Sequence, residues 1–403
     1  MSVDLIKMAK RSKAKLKQFS ESVSEERLLA GEETFSLTYS KSSLHKIFPD
    51  LTRAVVENTV ANMEASGYEF NRVKQGANSV YAITIEDITK IYENRGHPKL
   101  KDFQPEAITV FMSSLKGGVS KTVTGVTLAQ SLRTAPNLTP YDIKTLVIDL
   151  DPQSSSTMFM SHSLTLNSID TTSAQAMLQD ISKEELMSDY IYSSAISGVD
   201  IMPASIEDAF LAANWESICD EAGIRKEDIY QVLKKNIINK IKGEYSYIII
   251  DAGPHIDAFM LNSMVAADIL LTPIPPAQVD LHSTLKFINR LPVLENKIKE
   301  SGATLNIEAH IGFMTKYQEK KKHNIEARRH AKSIFNIMLN KSMPKLDAFE
   351  RTGESFDTVI TKMPKHYEGS AESLKRAKEA AHDFAESFFE TVNELRETFI
   401  HES

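Results

Sequence analysis

The residues with the clearest chemical potential lie in a short glycine-containing segment, Lys116–Thr122, which reads KGGVSKT. A predicted strand at 108–112 leads into it, and a helical pattern follows it. Glycines let backbone N–H groups curl around phosphate oxygens, and a helix N-terminus adds partial positive charge. The Lys121 ammonium can pair with β- and γ-phosphates, and the Thr122 hydroxyl is placed to bind Mg²⁺. The segment therefore predicts a loop that binds nucleotide phosphates.

This loop departs from the common pattern G-x-x-x-x-G-K-[ST] at both glycine positions. Leu115 and Ser120 stand where the pattern has glycine. A serine at position 120 requires either a negative φ or modest backbone strain. The loop by itself is consequently weak evidence for nucleotide binding.

Two later segments strengthen the prediction. Residues 146–153 read LVIDLDPQ and residues 247–253 read YIIIDAG, so each apolar run ends in carboxylates. Carboxylates at the ends of parallel strands lie beside the phosphate loop, where Mg²⁺ and an attacking water must be held. Asp251 alone could equally be a residue that caps the chain after a strand. Three such motifs in order, each after its own strand, favour nucleotide hydrolysis.

The surrounding pattern indicates an α/β domain from about 107 to 361. Short apolar runs alternate with helical patterns, as expected for a mostly parallel sheet flanked by helices. The predicted strands are 108–112, 146–150, 199–202, 247–250, 269–274, 310–314 and 356–360. Residues 370–398 form a charged amphipathic helical pattern that ends the domain.

Residues 1–29 have the pattern of one amphipathic helix, with a stop at Gly31. Six Lys/Arg and one Asp fall within residues 1–18. Apolar residues recur at near-helical spacing at Leu5, Met8, Leu16, Phe19 and Val23. Two interpretations remain open: a solvated helix with an apolar packing stripe, or a dimerisation arm with a face that attracts phosphate.

Residues 34–97 have the element order of a winged helix-turn-helix. A short helix at 41–48 precedes a second helix at 52–66, then a hairpin from 70–73 and 80–83, then a helix at 85–94. Arg53, Arg72 and Lys74 are the candidate contacts to duplex DNA. The alternative is a small packing domain without DNA binding. Residues 96–105 are predicted to be a linker.

Composition narrows the class of protein. The 403 residues carry 47 Lys/Arg and 54 Asp/Glu, a net charge of −7, which argues against a uniformly basic nucleic-acid protein. The single cysteine, Cys219, excludes an intrachain disulfide and a cysteine-based zinc site. No apolar run approaches the ~18 residues of a membrane span, and the N-terminus lacks an apolar signal core. We expect a cytoplasmic protein that does not bind a membrane.

These motifs resemble those of the ParA/MinD family of ATPases. Lys116–Thr122 is similar to the deviant Walker A motif KGGxxK[TS], and Asp149–Gln153 matches the DxDPQ segment of the ParA branch. Asp251–Pro254 resembles the Walker B end, with Ala252 where Thr or Cys is frequent. The resemblance covers about 107–361, and the N-terminal extension is typical of the larger plasmid partition ATPases.

The resemblance implies a role for each motif residue. Lys116 would cross a nucleotide-sandwich dimer to the partner's phosphates. Asp151 would orient the attacking water, while Asp149 and Asp251 would hold Mg²⁺ together with Thr122. The implied nucleotide-binding set is Lys116, Gly117, Gly118, Val119, Ser120, Lys121, Thr122 and Val123. Family members contact adenine at a segment matching 272–278, which nominates Pro275, Pro276 and Gln278, although the two prolines could serve only to stiffen a loop.

Local basic clusters point to nucleic acid in an acidic chain. Residues 316–332 hold seven Lys/Arg against two Glu, and such an excess attracts DNA phosphates without reading sequence. The resemblance implies nonspecific DNA binding through C-terminal basic residues, for which Arg351, Lys375 and Arg376 are the best matches. The alternatives are a solvated helix face and, for Arg351, a local salt bridge with the acids of 347–354.

Together these interpretations give three parts: a helix at 1–30, a winged helix-turn-helix at 34–97, and a P-loop ATPase domain at 107–403. The implied reaction is ATP hydrolysis to ADP and phosphate with Mg²⁺. The ATP-bound homodimer would bind nonspecific nucleoid DNA, and a ParB-type partner would stimulate hydrolysis. The ADP form would bind operator DNA and repress its own operon.

Three rival functions remain. A transcriptional repressor could use nucleotide only as a conformational ligand. A MinD-like membrane positioner is disfavoured because the C-terminal helix is rich in acids in its second half, which anionic lipid repels. A reductase or synthetase on the same P-loop is disfavoured by the lack of metal-cluster cysteines and by the helix-turn-helix pattern.

Overall fold

The computed structural model describes residues 4–29, 37–41, 43–44, 47–75, 78–165 and 169–402. Ten strands lie within these ranges. They are β1 (Arg72–Gln75), β2 (Asn78–Tyr81), β3 (Ile108–Met112), β4 (Thr145–Leu150), β5 (Tyr192–Ser193), β6 (Val199–Met202), β7 (Tyr247–Ala252), β8 (Ile269–Ile274), β9 (Ala309–Met314) and β10 (Ile337–Met338).

Fifteen α-helices lie within the same ranges. They are α1 (Leu5–Leu29), α2 (Arg53–Ala65), α3 (Ile85–Asn94), α4 (Lys121–Thr134), α5 (Ser155–Met160), α6 (Ser173–Met177), α7 (Lys183–Glu185), α8 (Asp208–Ala213), α9 (Trp215–Glu221), α10 (Asn239–Ile241), α11 (Ala258–Ala266), α12 (Gln278–Glu300), α13 (Lys322–Lys332), α14 (Asp347–Glu354) and α15 (Ala371–Glu402). Short 3₁₀ turns include Leu100–Asp102 and Thr139–Tyr141.

Eight strands form one sheet in the order β10-β9-β8-β3-β7-β4-β6-β5. Every pair is parallel except β5 with β6. The central strands are buried along their whole length, because helices cover both faces and leave no solvated side. This confirms the expected mostly parallel sheet flanked by helices.

Alternate residues of each central strand belong to different cores. Phe111, Ile248 and Ile250 pack with α11 and α12 on one face. Val110 and Ile249 pack with α4 and α15 on the other. The two-residue period of a strand sends neighbouring side chains to opposite faces, so continuous apolar runs produce a three-layer domain.

The winged unit has its own core. Residues of α2 and α3 converge there with Leu44, Ile47 and Phe48. The core also includes Val60, Ile88 and Tyr92. The β1–β2 hairpin is antiparallel, with Arg72 opposite Tyr81. The predicted helix at 41–48 lies partly outside the described residues. Of the residues that are described there, Ile47 N–H donates to Leu44 O.

The segment predicted to be a linker packs against the α/β domain. Leu100 is fully buried in the core that contains α4 and α15. The Gln104 side chain donates to Ser246 O at 2.7 Å and accepts from Arg396 at 2.6 Å. Despite its polar composition, this segment is therefore packed against the α/β domain and is not a free linker.

The predicted strand at 356–360 is wrong. Phe356 has φ of +54°, which no strand accepts, and residues 359–361 form a turn. Thr358 donates its hydroxyl to Gln130 and its N–H to Thr361, so local side-chain bonds replace a ladder. Val359 and Ile360 are apolar because they fill the core beside α15.

Helix α1 confirms the predicted element, and its apolar residues Leu5, Met8 and Leu16 are exposed. Within the described residues they do not form a stripe that packs on the rest of the chain. Gly31, the predicted stop, lies outside the described residues.

Candidate nucleotide site and basic surfaces

The phosphate loop connects β3 to α4, which begins at Lys121. Gly118 and Ser120 both have positive φ, +74° and +69°, so the chain curls before the helix starts. A Cβ placed on Gly117 or Gly118 would meet no heavy atom within 4 Å. This open cradle at a helix N-terminus suits a phosphate group. Ser120 adopts the strained alternative anticipated from its sequence position.

Lys121 enters this cradle from the first position of α4. The residue is only 7% exposed. Burial lowers the pKa of its ammonium, and the charges of Asp251 and Asp151 oppose that shift. A cation held between carboxylates beneath an open loop is positioned to receive phosphate charge.

Asp149 and Asp251 are direct neighbours because β4 and β7 pair in register at these residues. Asp149 Oδ2 accepts from Thr157 N at 2.8 Å and Thr157 Oγ1 at 2.7 Å, and its Oδ1 accepts from Asp151 N at 3.1 Å. Burial and the nearby Asp251 raise the pKa of Asp149 well above its usual range. Asp149 therefore binds the first turn of α5 through Oδ2 and the backbone of Asp151 through Oδ1.

Asp251 keeps one oxygen available. Its Oδ2 accepts from Ser156 Oγ at 2.8 Å, whereas its buried Oδ1 has no hydrogen-bond partner among the described residues. Burial raises its pKa, and Lys121 and Thr122 oppose that shift. An orphaned carboxylate oxygen beside a threonine hydroxyl is a donor set that fits Mg²⁺ completed by phosphate and water.

Asp151 lies at the rim of the same site. Its Oδ1 accepts from Gln153 N at 3.0 Å, and a Cβ on Gly253 would lie 3.6 Å from that oxygen. Asp151 and the loop after β7 thus face one another at the carboxyl ends of neighbouring strands, where a water could be oriented.

Lys116 is paired within its own chain. Its ammonium forms an ion pair with Asp280 in the first turn of α12, and the two side chains are 30% and 25% exposed. Asp280 was missed by sequence reasoning because it lies 164 positions along the chain and in no motif.

A cavity adjoins the phosphate loop on its other side. Ser120, Val123 and Thr124 form one wall, and Lys316 with the 343–350 segment forms the other. The Lys316 ammonium donates to Gly118 O at 2.9 Å. Pro275, Pro276 and Gln278 do not line this cavity. Pro275 is buried at the end of the β8 segment and Gln278 is exposed at the start of α12.

Two adjoining open cavities bring basic residues together near the C-terminal helix. Arg351 and Arg376 share one with Lys345, and Lys345 and Arg376 continue into the other. We define the basic groove by the cations Lys320, Lys321, Arg328, Lys345, Arg351 and Arg376. Its lining also holds Lys341 and five acidic residues, which are Glu319, Asp347, Glu368, Glu372 and Asp383. Lys375 does not line it and forms an exposed pair with Glu379 at 3.7 Å. Arg351 donates to Glu368 O at 2.9 Å rather than to a local acid.

The three predicted DNA contacts of the winged unit differ in the partners that their side chains bind. Arg53 is exposed and pairs with Glu57 of the same helix at 2.8 Å. Arg72 donates to Tyr81 Oη at 2.7 Å and pairs with Glu64 at 2.9 Å, so it also holds the hairpin on α2. Lys74 is exposed on β1.

Comparison with known proteins decides the family. A model of the ParA helix-turn-helix domain matches residues 12–104, and a model of an AAA domain matches residues 107–304. The chain is 46% identical over 396 residues to plasmid partition protein A of Escherichia coli, covering 98% of this chain and 99% of that protein. The chain belongs to the ParA family of plasmid partition proteins.

Solved structures agree with this ParA assignment. A partition protein superposes with a TM-score of 0.74 at 34% identity, over 92% of this chain and 96% of that one. Cobyrinic acid a,c-diamide synthase from Mycobacterium smegmatis, with bound ADP and magnesium, superposes with a TM-score of 0.51 at 17% identity. The match covers 70% of this chain and 94% of that one. The second likeness concerns the fold alone. No described helix of this ParA-family chain is long and apolar enough to cross a membrane.

Proposed function

We propose that this ParA-family chain is the Mg²⁺-dependent ATPase of a plasmid partition system, converting ATP and water to ADP and phosphate. The observation that carries the proposal is the convergence of Lys121, Asp149, Asp151 and Asp251 beneath an open phosphate cradle. A cation, an orphaned carboxylate oxygen and a rim carboxylate are the groups that phosphoryl transfer to water requires.

The chain's own residues account for binding. Backbone N–H groups of the phosphate loop and the N-terminus of α4 would hold the β-phosphate, and Lys121 would neutralise the γ-phosphate. Thr122, Asp149 and Asp251 would hold Mg²⁺. Asp149 also keeps the first turn of α5, and hence Ser156, in place against Asp251. When bound, Mg²⁺ supplies charge stabilisation at the transferring phosphoryl group.

Two residues would serve hydrolysis itself. Asp151 stands at the rim, where it can accept a hydrogen bond from the attacking water and orient it in line. Lys116 would leave Asp280 and contribute its charge to the nucleotide of a second subunit in the ATP-bound homodimer. A lysine that must change partners makes hydrolysis depend on dimerisation.

The nucleoside would occupy the cavity between Val123 and the 343–350 segment. Its apolar wall includes Met343, Pro344, Leu346 and Phe349, which suits the face of a purine. Pro275, Pro276 and Gln278 stay proposed adenine contacts on the family resemblance, although the cavity does not include them.

The basic groove supports nonspecific DNA binding by the ATP-bound form. When Lys345, Arg351 and Arg376 neutralise phosphates of a DNA duplex, the duplex would release counterions in proportion to the number of phosphates neutralised. Lys375 and the basic face of α13 would add charge at the margin. An acidic chain can hold DNA only through such local clusters.

The test of this assignment is the salt dependence of DNA binding with ATP present. Arg351→Ala should lower affinity equally for unrelated sequences and reduce the salt slope by about 1 for each lost contact, or about 2 for a symmetric dimer. Arg225→Ala, an exposed and ion-paired arginine in a segment beside the opposite core, is the matched control. If Arg351 serves only its bond to Glu368, the melting temperature will fall and the slope will stay fixed.

The remaining parts follow the family pattern. A ParB-type partner would stimulate hydrolysis. The ADP form would use Arg53, Arg72 and Lys74 to bind operator DNA and repress its operon. The exposed apolar residues of α1 would serve as a dimerisation arm. These activities place the protein in the cytoplasm on the nucleoid.

A nucleotide-regulated repressor without essential turnover is the second candidate, favoured by the winged unit. The two differ in one measurement: the repressor requires ADP or ATP binding for operator affinity but no phosphate release in the presence of DNA and partner.

A further inference from the structure

Helix α4 physically connects the phosphate loop to the winged unit. It begins at Lys121 in the cradle, and Arg133 lies in its last turn. At 1.5 Å per residue these two positions are about 18 Å apart along the axis. Val126, Leu128, Ala129 and Leu132 are fully buried between the sheet and α15, so the helix moves as a rod rather than bending.

Arg133 is fixed on the ATPase side by several acceptors. Its side chain is 3% exposed. Nη1 donates to Asp142 Oδ1 at 2.6 Å and Nε donates to Ser197 O at 3.0 Å. A Cβ on Gly198 would lie 2.8 Å from Nε, so only glycine leaves room for the guanidinium. The guanidinium therefore ties the end of α4 to the loops at 142–143 and 197.

Its remaining nitrogen faces the winged unit. Arg133 Nη2 lies 3.9 Å from Oε1 of Glu86, in the first turn of α3. That oxygen is buried, and no hydrogen bond reaches it from any described residue. At this separation the contact is an ion pair short of a hydrogen bond, which forms near 2.8 Å. A shift of about 1 Å would complete or abolish it.

A second contact runs in parallel. Lys99 lies 3.5 Å from Glu93 near the end of α3 and 3.5 Å from Asp142. The Asp142 carboxylate thus forms ion pairs with both Arg133 and Lys99. Through these two cations, Asp142 is linked to Glu86 in the first turn of α3 and to Glu93 in its last turn.

We infer that Arg133 and Glu86 are positioning residues through which the nucleotide state sets the orientation of the winged unit. Phosphate binding acts on the first turn of α4, and Arg133 delivers the displacement to α3. The inference rests on the proposed function, in which the nucleotide alters operator binding. It adds the route by which the two sites influence one another.

Glu86→Gln tests the route with little risk to folding, because the Glu86 side chain is 44% exposed. Glu69→Gln, an exposed glutamate of the same unit, is the matched control. The full chain is titrated with the DNA segment directly upstream of its own gene, with and without ADP and Mg²⁺. We expect ADP to change the affinity of the wild type and of Glu69→Gln, and Glu86→Gln to reduce that change by about 5-fold.

Hydrogen exchange of residues 85–94 gives a readout without DNA. ADP should alter exchange there in the wild type and not in Glu86→Gln, while ADP affinity and melting temperature match the control. If Glu86→Gln retains the full nucleotide effect in both measurements, the route is overturned and the proposed function stands. If ADP changes neither DNA affinity nor exchange in the wild type, the regulatory part of the proposed function fails and the route with it.

Discussion

The ion pair between Lys116 and Asp280 gives a quantitative prediction for dimerisation. If Lys116 must leave Asp280 to reach the nucleotide of a second subunit, the pair stabilises the free chain against the ATP-bound dimer. Asp280→Asn removes the carboxylate charge and keeps the shape of the side chain. The variant should therefore dimerise more readily with ATP.

The magnitude follows from the burial of the pair. The two side chains are 30% and 25% exposed, so solvent screens them and the pair is worth about 1 kcal/mol at most. One pair opens in each subunit. The dimerisation constant should rise by about 5-fold for each pair, or up to about 25-fold for the dimer.

Sedimentation with a non-hydrolysable ATP analogue and Mg²⁺ measures this constant directly. Glu295→Gln is the control, because it breaks an ion pair with Lys299 on the same helix at 2.6 Å and leaves Lys116 alone. In a Lys116→Ala background, Asp280→Asn should have no effect, since the pair is already absent. A dimerisation constant within 2-fold of the wild type, with Lys116 present, would refute the reasoning.

Two further predictions concern stability. Ser120→Gly should raise the free energy of unfolding by about 0.5–1 kcal/mol, because glycine tolerates the φ of +69°; chemical denaturation measures it, and a less stable variant would contradict the strain. Burial lowers the pKa of His310 and His382 to about 4. The unfolded chain therefore binds protons first, so stability is complete above about pH 6.5 and is lost as the pH falls towards 4, by up to about 1.4 kcal/mol per pH unit for each histidine. Urea unfolding between pH 7 and pH 5 measures that slope, and His310→Gln should flatten it; a slope that does not change in this variant would exclude His310 as a source.

The sequence predicted the parts of the fold that depend on local pattern. Strands such as 247–250 are recognisable because burial on both faces makes them continuously apolar. The meeting of Asp149 and Asp251 followed from the rule that parallel strands end at one edge. The order of strands that makes these residues register partners depends on tertiary packing and left no local trace.

Long-range contacts account for what sequence reasoning missed. Lys345 lines both parts of the basic groove, yet it lies outside the 316–332 cluster and was not among the predicted C-terminal DNA contacts. Lys316 and the 343–350 segment line a cavity at the phosphate loop without a motif. Ser156 and Thr157 did carry a weak signal, as hydroxyl residues that begin a helix just after the carboxylates. The two-residue strand β10 is too short to show a period in its sequence. The 356–360 segment was predicted as a strand because it is a short apolar run, although it forms none.

The central claim is that this site hydrolyses ATP with Asp151 acting on water rather than on nucleotide. Phosphate release at saturating ATP, Mg²⁺ and duplex DNA tests it, with ATP affinity measured on the same preparations. The account predicts that Asp151→Ala binds ATP within about 3-fold of the wild type and releases phosphate at least ~10-fold more slowly, while Lys121→Ala loses ATP binding. Wild-type turnover in Asp151→Ala, or wild-type release no faster than that of Lys121→Ala, would contradict it.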